Sequence, residues 1–350
     1  MSNVEYKKIF LEYLKGCGLS IGTIVRMKWS LKLFYNYLNG KDVKEIREKE
    51  IILFVKYLRN IKTMYKRELS ESSIELSYGA VKSFYIFLYN NEYILNNPCE
   101  NLKIKLKGIK KEIRMFNNEE IGIFLDNIGI EDKSNERDRA YFELMYSSGL
   151  RAREGLNLEL EDINFDERIL MVKSGKGKKD RYVPFSETAL KFMLKYVNDG
   201  RNEYLKEIRG NEDKKWLFLY EKGKVSYWMV LKRFRKYLTE CKLNKKGYRI
   251  HSIRHSTATH LLEAGASIRY VQELLGHENI ETTQIYTRPC IDNVRKIYKS
   301  YHPRENEYFD EISEEYLENL KKLKKKILIC RKEKKRGKEL QKMRESGKII

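Results

Sequence analysis

The sequence is short of the features that would place it in a membrane, outside a cell or around a metal. No uninterrupted apolar run approaches the roughly 20 residues that span a bilayer, and the N-terminal segment carries no signal-peptide pattern. A soluble, cytoplasmic protein with no membrane partner is therefore expected. The five cysteines, Cys17, Cys99, Cys241, Cys290 and Cys330, are odd in number and have no C-x-x-C spacing. Reduced thiols fit that pattern better than a disulfide framework or a zinc site. The G-x-x-x-x-G-K-[ST] loop of nucleotide hydrolases is missing, which excludes that way of cradling a phosphate. Negative charge is also scarce: 50 Asp and Glu stand against 71 Lys and Arg in 350 residues, a formal charge of +21. Such an excess suits a large polyanion, because neutralising phosphates releases condensed counterions. By itself the charge fits generic RNA binding equally well, so the motifs must decide.

At this length two ordinary domains with full cores are expected. The first hundred residues read as four amphipathic helices. Ile24, Met27, Leu31, Phe34 and Leu38 step by three and four, as do Ile74, Tyr78, Val81, Tyr85 and Leu88, with two more helices near Tyr6–Leu14 and Glu48–Arg59. Asn96-Asn97-Pro98 is read as the stop of the fourth. Residues 1–102 form the expected N-terminal helical domain, and the Lys-rich, aperiodic stretch 103–114 the linker.

A second domain is expected over 115–303, with Asn117 capping a helix whose buried stripe is Ile121, Phe124, Leu125 and Ile128. Ile169–Lys173 and Arg181–Phe185 are β-favouring runs around a Gly- and Lys-rich turn, so a hairpin with Lys176 at its tip is predicted. Helices follow over Tyr227–Cys241, Ser252–Glu263 with Gly265 as its stop, and Ser267–Leu275. The expected class is mainly α with a small β-sheet or hairpin. Residues 304–350 form a tail of different composition. Positions 305–320 hold seven acids and no Lys or Arg, whereas 321–348 hold fourteen Lys or Arg against three Glu. A charged helix and a solvated tail are both open readings. The tail carries +5, so residues 1–303 keep +16 and need no tail to bind a polyanion.

The motifs sharpen the chemistry. Leu274-Leu275-Gly276-His277 precedes Tyr286 by nine residues from the histidine, and His251-Ser252-Ile253-Arg254-His255 lies about one helix earlier. Upstream stand Arg151 in Ser148-Gly149-Leu150-Arg151-Ala152-Arg153-Glu154 and Lys176 in Ser174-Gly175-Lys176-Gly177-Lys178-Lys179-Asp180-Arg181. Cleaving a phosphodiester without metal takes a nucleophile, cations over the non-bridging oxygens and an acid for the departing oxygen. Arg151 and Arg254 suit the clamp, because guanidinium forks meet phosphate oxygens two at a time. His251, three residues before Arg254 at a helix start, should project from the same face. A phenol with a pKa near ~10 is a poor nucleophile at neutral pH unless a base or cations assist it. Four of the five histidines fall within 251–277, yet their spacing matches no H-E-x-x-H or Cys/His zinc pattern. Neither metal nor cofactor is expected. His255 and His260 are read as packing or hydrogen-bonding residues, and His302 as a surface histidine.

The ordered set Arg151, Lys176, His251, Arg254, His277 and Tyr286 resembles the active site of the tyrosine recombinases, the phage-integrase family, and especially its Xer-like members. The resemblance runs over roughly residues 4 to 303, and Ala258-Thr259-His260-Leu261-Leu262 and Thr282-Thr283-Gln284-Ile285-Tyr286-Thr287 match as well. It implies a SAM-like N-terminal DNA-clamp domain and an integrase-like catalytic domain that close around duplex DNA. Tyr286 would be the nucleophile and form a 3′-phosphotyrosyl bond, with Lys176 the acid for the leaving oxygen. A basic turn that only touches phosphates is the alternative for this loop, and Lys178, Lys179 and Arg181 are read as such DNA contacts. Glu154 is read as a helper that orients Arg151 or the histidine pocket. The resemblance also implies a homo- or hetero-tetramer on two duplexes, with a second related recombinase as a possible partner. The helix near Cys290–Tyr301 would dock on a neighbouring protomer. Chromosome or plasmid dimer resolution and mobile-element integration are both implied, and the apparent lack of an arm-binding domain favours the first. A non-cutting DNA architectural protein and a type IB topoisomerase are the rival readings.

Overall fold

A computed structural model describes residues 1–62, 68–102, 113–173, 180–210, 213–276 and 298–305. The chain divides into two compact units, Met1–Glu112 and Ile113–Ile350. Each has a core of its own.

The first unit is helical: α1 Asn3–Gly16, α2 Ile21–Leu38, α3 Glu48–Asn60 and α4 Glu71–Asn90. Serines set three of the starts. Ser2, Ser20 and Ser70 take extended conformations and accept hydrogen bonds from the backbone N–H three residues on, satisfying a donor that the first helical turn leaves orphaned. The apolar stripes then close on one another through aromatic rings. Phe34 meets Phe54 edge-on at 4.9 Å and Phe10 meets Phe84 at 5.4 Å. One expectation fails here. Helix α4 ends at Asn90, well before Pro98, because Glu92 turns left-handed (φ 59°) and the Tyr93 N–H closes back on the Leu88 carbonyl. That closure brings Tyr93 against Tyr6 and Phe87.

The second unit is mainly helical with two small antiparallel sheets. Its elements are α5 Asn118–Asp126, α6 Lys133–Ser148, α7 Ala152–Leu156, β1 Ile163–Asn164, β2 Ile169–Val172, β3 Arg181–Pro184, α8 Glu187–Asn198, α9 Gly200–Glu207, β4 Leu219–Tyr220, β5 Gly223–Lys224, α10 Tyr227–Glu240, α11 Ile250–Glu263 and α12 Ile268–Leu275. Asn117 caps α5 in a reciprocal pair with Glu120, and Ile121, Phe124, Leu125 and Ile128 are buried as their spacing predicts. The strands form the sheet β1-β2-β3, with Leu170 opposite Val183 and Val172 opposite Arg181, so the hairpin register places Arg181 across from the last residue of β2. Helix α6 is buried along nearly its whole length and is the spine on which α8, α9 and α11 pack.

Residues 298–305 belong to this core. Tyr298 is buried and its hydroxyl bonds to Ser147, while Arg304 pairs with Glu143 and Asp126, and Arg168 grips Glu305. Of the segment predicted to dock on another protomer, Tyr298 is buried in its own chain while Lys299 and Ser300 are exposed; 290–297 lie outside the described residues. Arg304 and Glu305, assigned to the tail from composition, are buried as well. So is His302, at 2% exposure, which corrects its reading as a surface residue. Its ring stacks on Tyr298 at 4.8 Å, an aromatic contact that a lone histidine in a basic stretch does not announce.

Burial holds the His302 imidazole down to about 3, with the charges of Arg304 and His260 acting in the same sense against a hydrogen bond to the Tyr146 backbone. The unfolded chain takes up a proton near the ordinary 6.5, which the folded chain refuses until about 3. Stability tied to His302 is therefore complete above pH 6.5 and declines as pH falls toward 3, by at most about 1.4 kcal/mol per pH unit. Urea unfolding at pH 7 and pH 5 should show a smaller difference in His302→Asn than in the parent protein; equal differences would refute this assignment.

Candidate active site

Helix α6 stops at Gly149, whose φ of 57° is a left-handed conformation favoured by glycine, and the chain re-enters a helix three residues later, at Ala152. Arg151 is the N-cap of the single-turn helix α7, and Glu154 is its third residue. The Glu154 carboxylate folds back on that start. Its Oε2 accepts the Arg151 backbone N–H at 2.9 Å, and its Oε1 accepts Arg151 Nη1 at 2.8 Å. The short spacing Arg-x-x-Glu is thus a cap and an ion pair at once.

Glu154 also receives a second guanidinium. Arg181 Nη1 donates to Oε1 at 3.2 Å and Nη2 to Oε2 at 2.8 Å, a fork-to-fork pair. A third, Arg254, stands with Nη1 at 3.8 Å from Oε2 and is fixed by other acceptors. Its Nη1 donates to the Gly149 carbonyl at 2.7 Å and its Nη2 to the Leu275 carbonyl at 2.6 Å. Three guanidiniums thus converge on one carboxylate and leave a surplus of two positive charges. Burial raises the Glu154 carboxyl, but the hydrogen bonds and charge of Arg181, followed by those of Arg151, outweigh it and hold the group at about 2. The opposite strain falls on Arg254. Its burial, and then the like charge of Arg151, lower it to about 9, with Arg181 adding to the effect, so it stays charged at pH 7 but is crowded.

His251 and Arg254 share the first turn of α11, which begins at Ile250 after the N-cap Arg249. Burial lowers the His251 pKa, and the neighbouring His255, Arg254 and Arg151 lower it further against Glu154. At neutral pH its imidazole is uncharged and can both donate and accept. His255 is exposed rather than packed. His260 is buried and bridges the Tyr146 hydroxyl at 2.8 Å and the Phe116 carbonyl at 2.9 Å, as a hydrogen-bonding residue should.

Helix α12 completes the site. Leu274 and Leu275 are buried, and Gly276 ends the helix at φ 64°. A Cβ at Gly276 would lie 3.0 Å from Arg181 Cδ, so the glycine both permits the left-handed cap and lets the arginine stem pass. The carbonyls that a helix C-terminus leaves unpaired are taken by the site's arginines: Leu274 by Arg181 Nε at 3.3 Å, and Leu275 by Arg254. The sequence shows Leu-Leu-Gly as a motif, but not that its carbonyls serve as arginine acceptors.

Of the residues singled out from sequence, Arg151, Glu154, Arg181, His251 and Arg254 are brought together. Lys176, Lys178, Lys179, His277 and Tyr286 lie outside the described residues. Arg181, expected as a DNA contact of a basic turn, is not a surface side chain: it is 5% exposed and its guanidinium is held by Glu154. Arg151 keeps 41% of its side chain exposed and is the more open face of the clamp. Glu159, Glu161 and Asp162 are the carboxylates among the described residues closest to a metal-ligand arrangement. Lys173 Nζ already bridges all three, at 3.3, 3.6 and 2.6 Å, and Lys215 Nζ pairs with Glu159 at 3.0 Å. The gathered arginines form an anion site suited to a phosphate diester, with a neutral histidine beside them and a helix N-terminus adding partial positive charge.

A family model described as the phage integrase family matches residues 114–290, and one described as the phage integrase N-terminal SAM-like domain matches residues 8–92. The chain is 34% identical to a protein named tyrosine recombinase XerC from Halalkalibacterium halodurans, over 87% of this chain and 99% of that one. It is 32% identical to a tyrosine recombinase XerD from Staphylococcus epidermidis, over 82% and 94%. Among solved structures, XerH site-specific recombinase bound to a palindromic difH substrate aligns with a TM-score of 0.60 at 22% identity, covering 80% of this chain and 76% of that one. The Tn1549 transposon integrase in complex with a circular intermediate DNA aligns at 0.62 and 16% identity, covering 85% and 94%. These two likenesses concern the fold.

Gly149 tests the packing beneath the arginines. An alanine Cβ there would meet Leu275 Cδ2 at 2.7 Å in a left-handed backbone conformation. Gly149→Ala should destabilise the protein by about 1–3 kcal/mol, measured by urea unfolding. Unchanged stability would contradict the close approach of α12.

Proposed function

The chain belongs to the phage integrase family of tyrosine recombinases, and on that premise we propose that it is a site-specific recombinase that cuts and rejoins double-stranded DNA through a phosphotyrosyl intermediate. The observation that carries the reading is the convergence of Arg151 and Arg254 on Glu154, beside a neutral His251, within a segment that matches the family model. The two guanidiniums would hold the non-bridging oxygens of the scissile phosphate. Charge that develops there in the pentacoordinate transition state is met by donors already in place, which is where electrostatic catalysis gains most.

Tyr286 is the nucleophile in this scheme. Its Oη forms a bond to phosphorus as the bond to the 5′-oxygen breaks, leaving a 3′-phosphotyrosyl ester and a 5′-hydroxyl. Lys176 gives the departing oxygen its proton, and His277, which with His251 hydrogen-bonds the phosphate, assists Tyr286 by accepting the proton that its phenol loses. A 5′-hydroxyl from a second strand then reverses the step. One ester replaces another at each stage, so the reaction consumes no nucleotide. Lys178 and Lys179 would contact the DNA backbone near the cleavage point.

The first unit would clamp the far side of the duplex, with residues 103–114 as the link. Four protomers, identical or paired with a second related recombinase, would exchange strands between two duplexes in the cytoplasm. The tasks that fit are dimer resolution of chromosomes or plasmids and the integration or excision of a mobile element. The charged segment 306–350 would add to assembly or nonspecific DNA affinity.

Incubation of the full-length protein with genomic DNA fragments should yield a denaturant-resistant adduct, from which the bound site can be sequenced. Tyr286→Phe should abolish it, and Arg151→Ala or Arg254→Ala should slow its formation by about 10²–10³-fold. No adduct from the wild-type protein, or one that survives Tyr286→Phe, would overturn the reading.

A further inference from the structure

Arg181 is buried at the start of β3 and joins that strand to the start of α7, through Glu154, and to the end of α12, through Leu274. It belongs to the strand that follows the Lys176 turn in the sequence. Its two Nη atoms fill one lone-pair position on each oxygen of Glu154, and Nε caps the Leu274 carbonyl at the C-terminus of α12, three residues before His277 in the sequence. Its aliphatic stem lies against Gly276. A buried guanidinium with three directed bonds is a geometric device, since lysine could satisfy one of these acceptors but not all three.

The arrangement has a consequence for the clamp. Glu154 accepts four hydrogen bonds, two from Arg151 and two from Arg181. Were Arg181 absent, one acceptor position would open on each Glu154 oxygen, the one on Oε2 lying 3.8 Å from Arg254 Nη1. Arg254 would then be drawn toward the carboxylate and away from the Gly149 carbonyl, and α12 would lose a donor from its last turn. Resting on the recombinase reading above, we propose that Arg181 is a positioning residue for DNA cleavage: it saturates Glu154 so that Arg254 remains aimed at the phosphate, and it fixes the end of α12 in register with the arginines. Its action is through Glu154, Arg254 and the helix end, not through contact with DNA.

Two measurements on the full-length protein test this. In the first, amide hydrogen exchange over residues 271–276 without DNA should accelerate by about ten-fold in Arg181→Gln and by less in Arg181→Lys; exchange equal to the parent protein would overturn the anchoring. In the second, single-turnover adduct formation on the DNA site trapped by the wild-type protein should slow by about 10²-fold in Arg181→Gln, with the DNA Kd changed by less than about three-fold. Arg181→Lys should recover about ten-fold of that rate by restoring one bond. A rate within about three-fold of wild type in Arg181→Gln, a loss confined to Kd, or no recovery with lysine would overturn the role in cleavage. If Arg181→Gln does not fold, Arg181→Lys decides, and a rate equal to wild type would count against the proposal. A wild-type protein that forms no adduct at all would instead refute the recombinase reading, while the exchange measurement still judges Arg181.

Discussion

A carboxylate removed from water is stable only if donors fill its oxygens, and Glu154 fills its own with Arg151 and Arg181 while Arg254 stands just beyond. That constraint organises the rest of the second unit. Two buried cations, Arg181 and Arg254, and the half-open Arg151 cannot stand together without a countercharge, and the countercharge is placed by the first turn of α7, where an acid at the third position also caps the helix. Local helix chemistry and the assembly of an anion site are therefore the same event. Among the described residues Glu154 is the carboxylate that these three guanidiniums share, and a phosphate is a group that would relieve the surplus charge.

The arginines are oriented by helix ends. Arg254 donates to the carbonyl of Gly149 at the end of α6 and to Leu275 at the end of α12, so two helix C-termini, each carrying partial negative charge, face a buried cation. Both ends are closed by glycine in the left-handed conformation; a Cβ at Gly149 would clash with Leu275 at 2.7 Å, and one at Gly276 would crowd Arg181 at 3.0 Å. The glycines of Ser148-Gly149-Leu150-Arg151 and Leu274-Leu275-Gly276-His277 are thus required by packing as well as by dihedral angle. On the other side of α6, the stretch 298–305 enters the core through Tyr298, His302 and Arg304, which ties the region following the proposed nucleophile to the scaffold that carries the arginines.

Much of this was legible in the sequence because it is local. Helical stripes such as Ile121, Phe124, Leu125 and Ile128, the cap Asn117, and the strands around the Gly- and Lys-rich turn all follow from period and turn chemistry. The pairing of Arg151 with Glu154 is also a near-neighbour effect. What escaped is non-local. Arg181 looked like one more cation in a basic run, and only the fold brings it 27 residues back to Glu154 and 93 forward to Leu274. His302 lies in a charged stretch, and its burial depends on Tyr298 stacking, which no spacing rule predicts. The end of α4 was misplaced because proline is a stronger sign in sequence than the left-handed Glu92 that in fact turns the chain.

The claim on which all this rests is that the Glu154-centred arginines present a phosphate-binding face. It is tested most directly by determining the structure of the Tyr286→Phe protein bound to its own DNA site. The account predicts non-bridging oxygens of one backbone phosphate within about 3 Å of both Arg151 and Arg254, with Arg181 still holding Glu154 and making no contact to DNA. A phosphate bound elsewhere, or Arg181 released from Glu154 to grip the DNA, would contradict it.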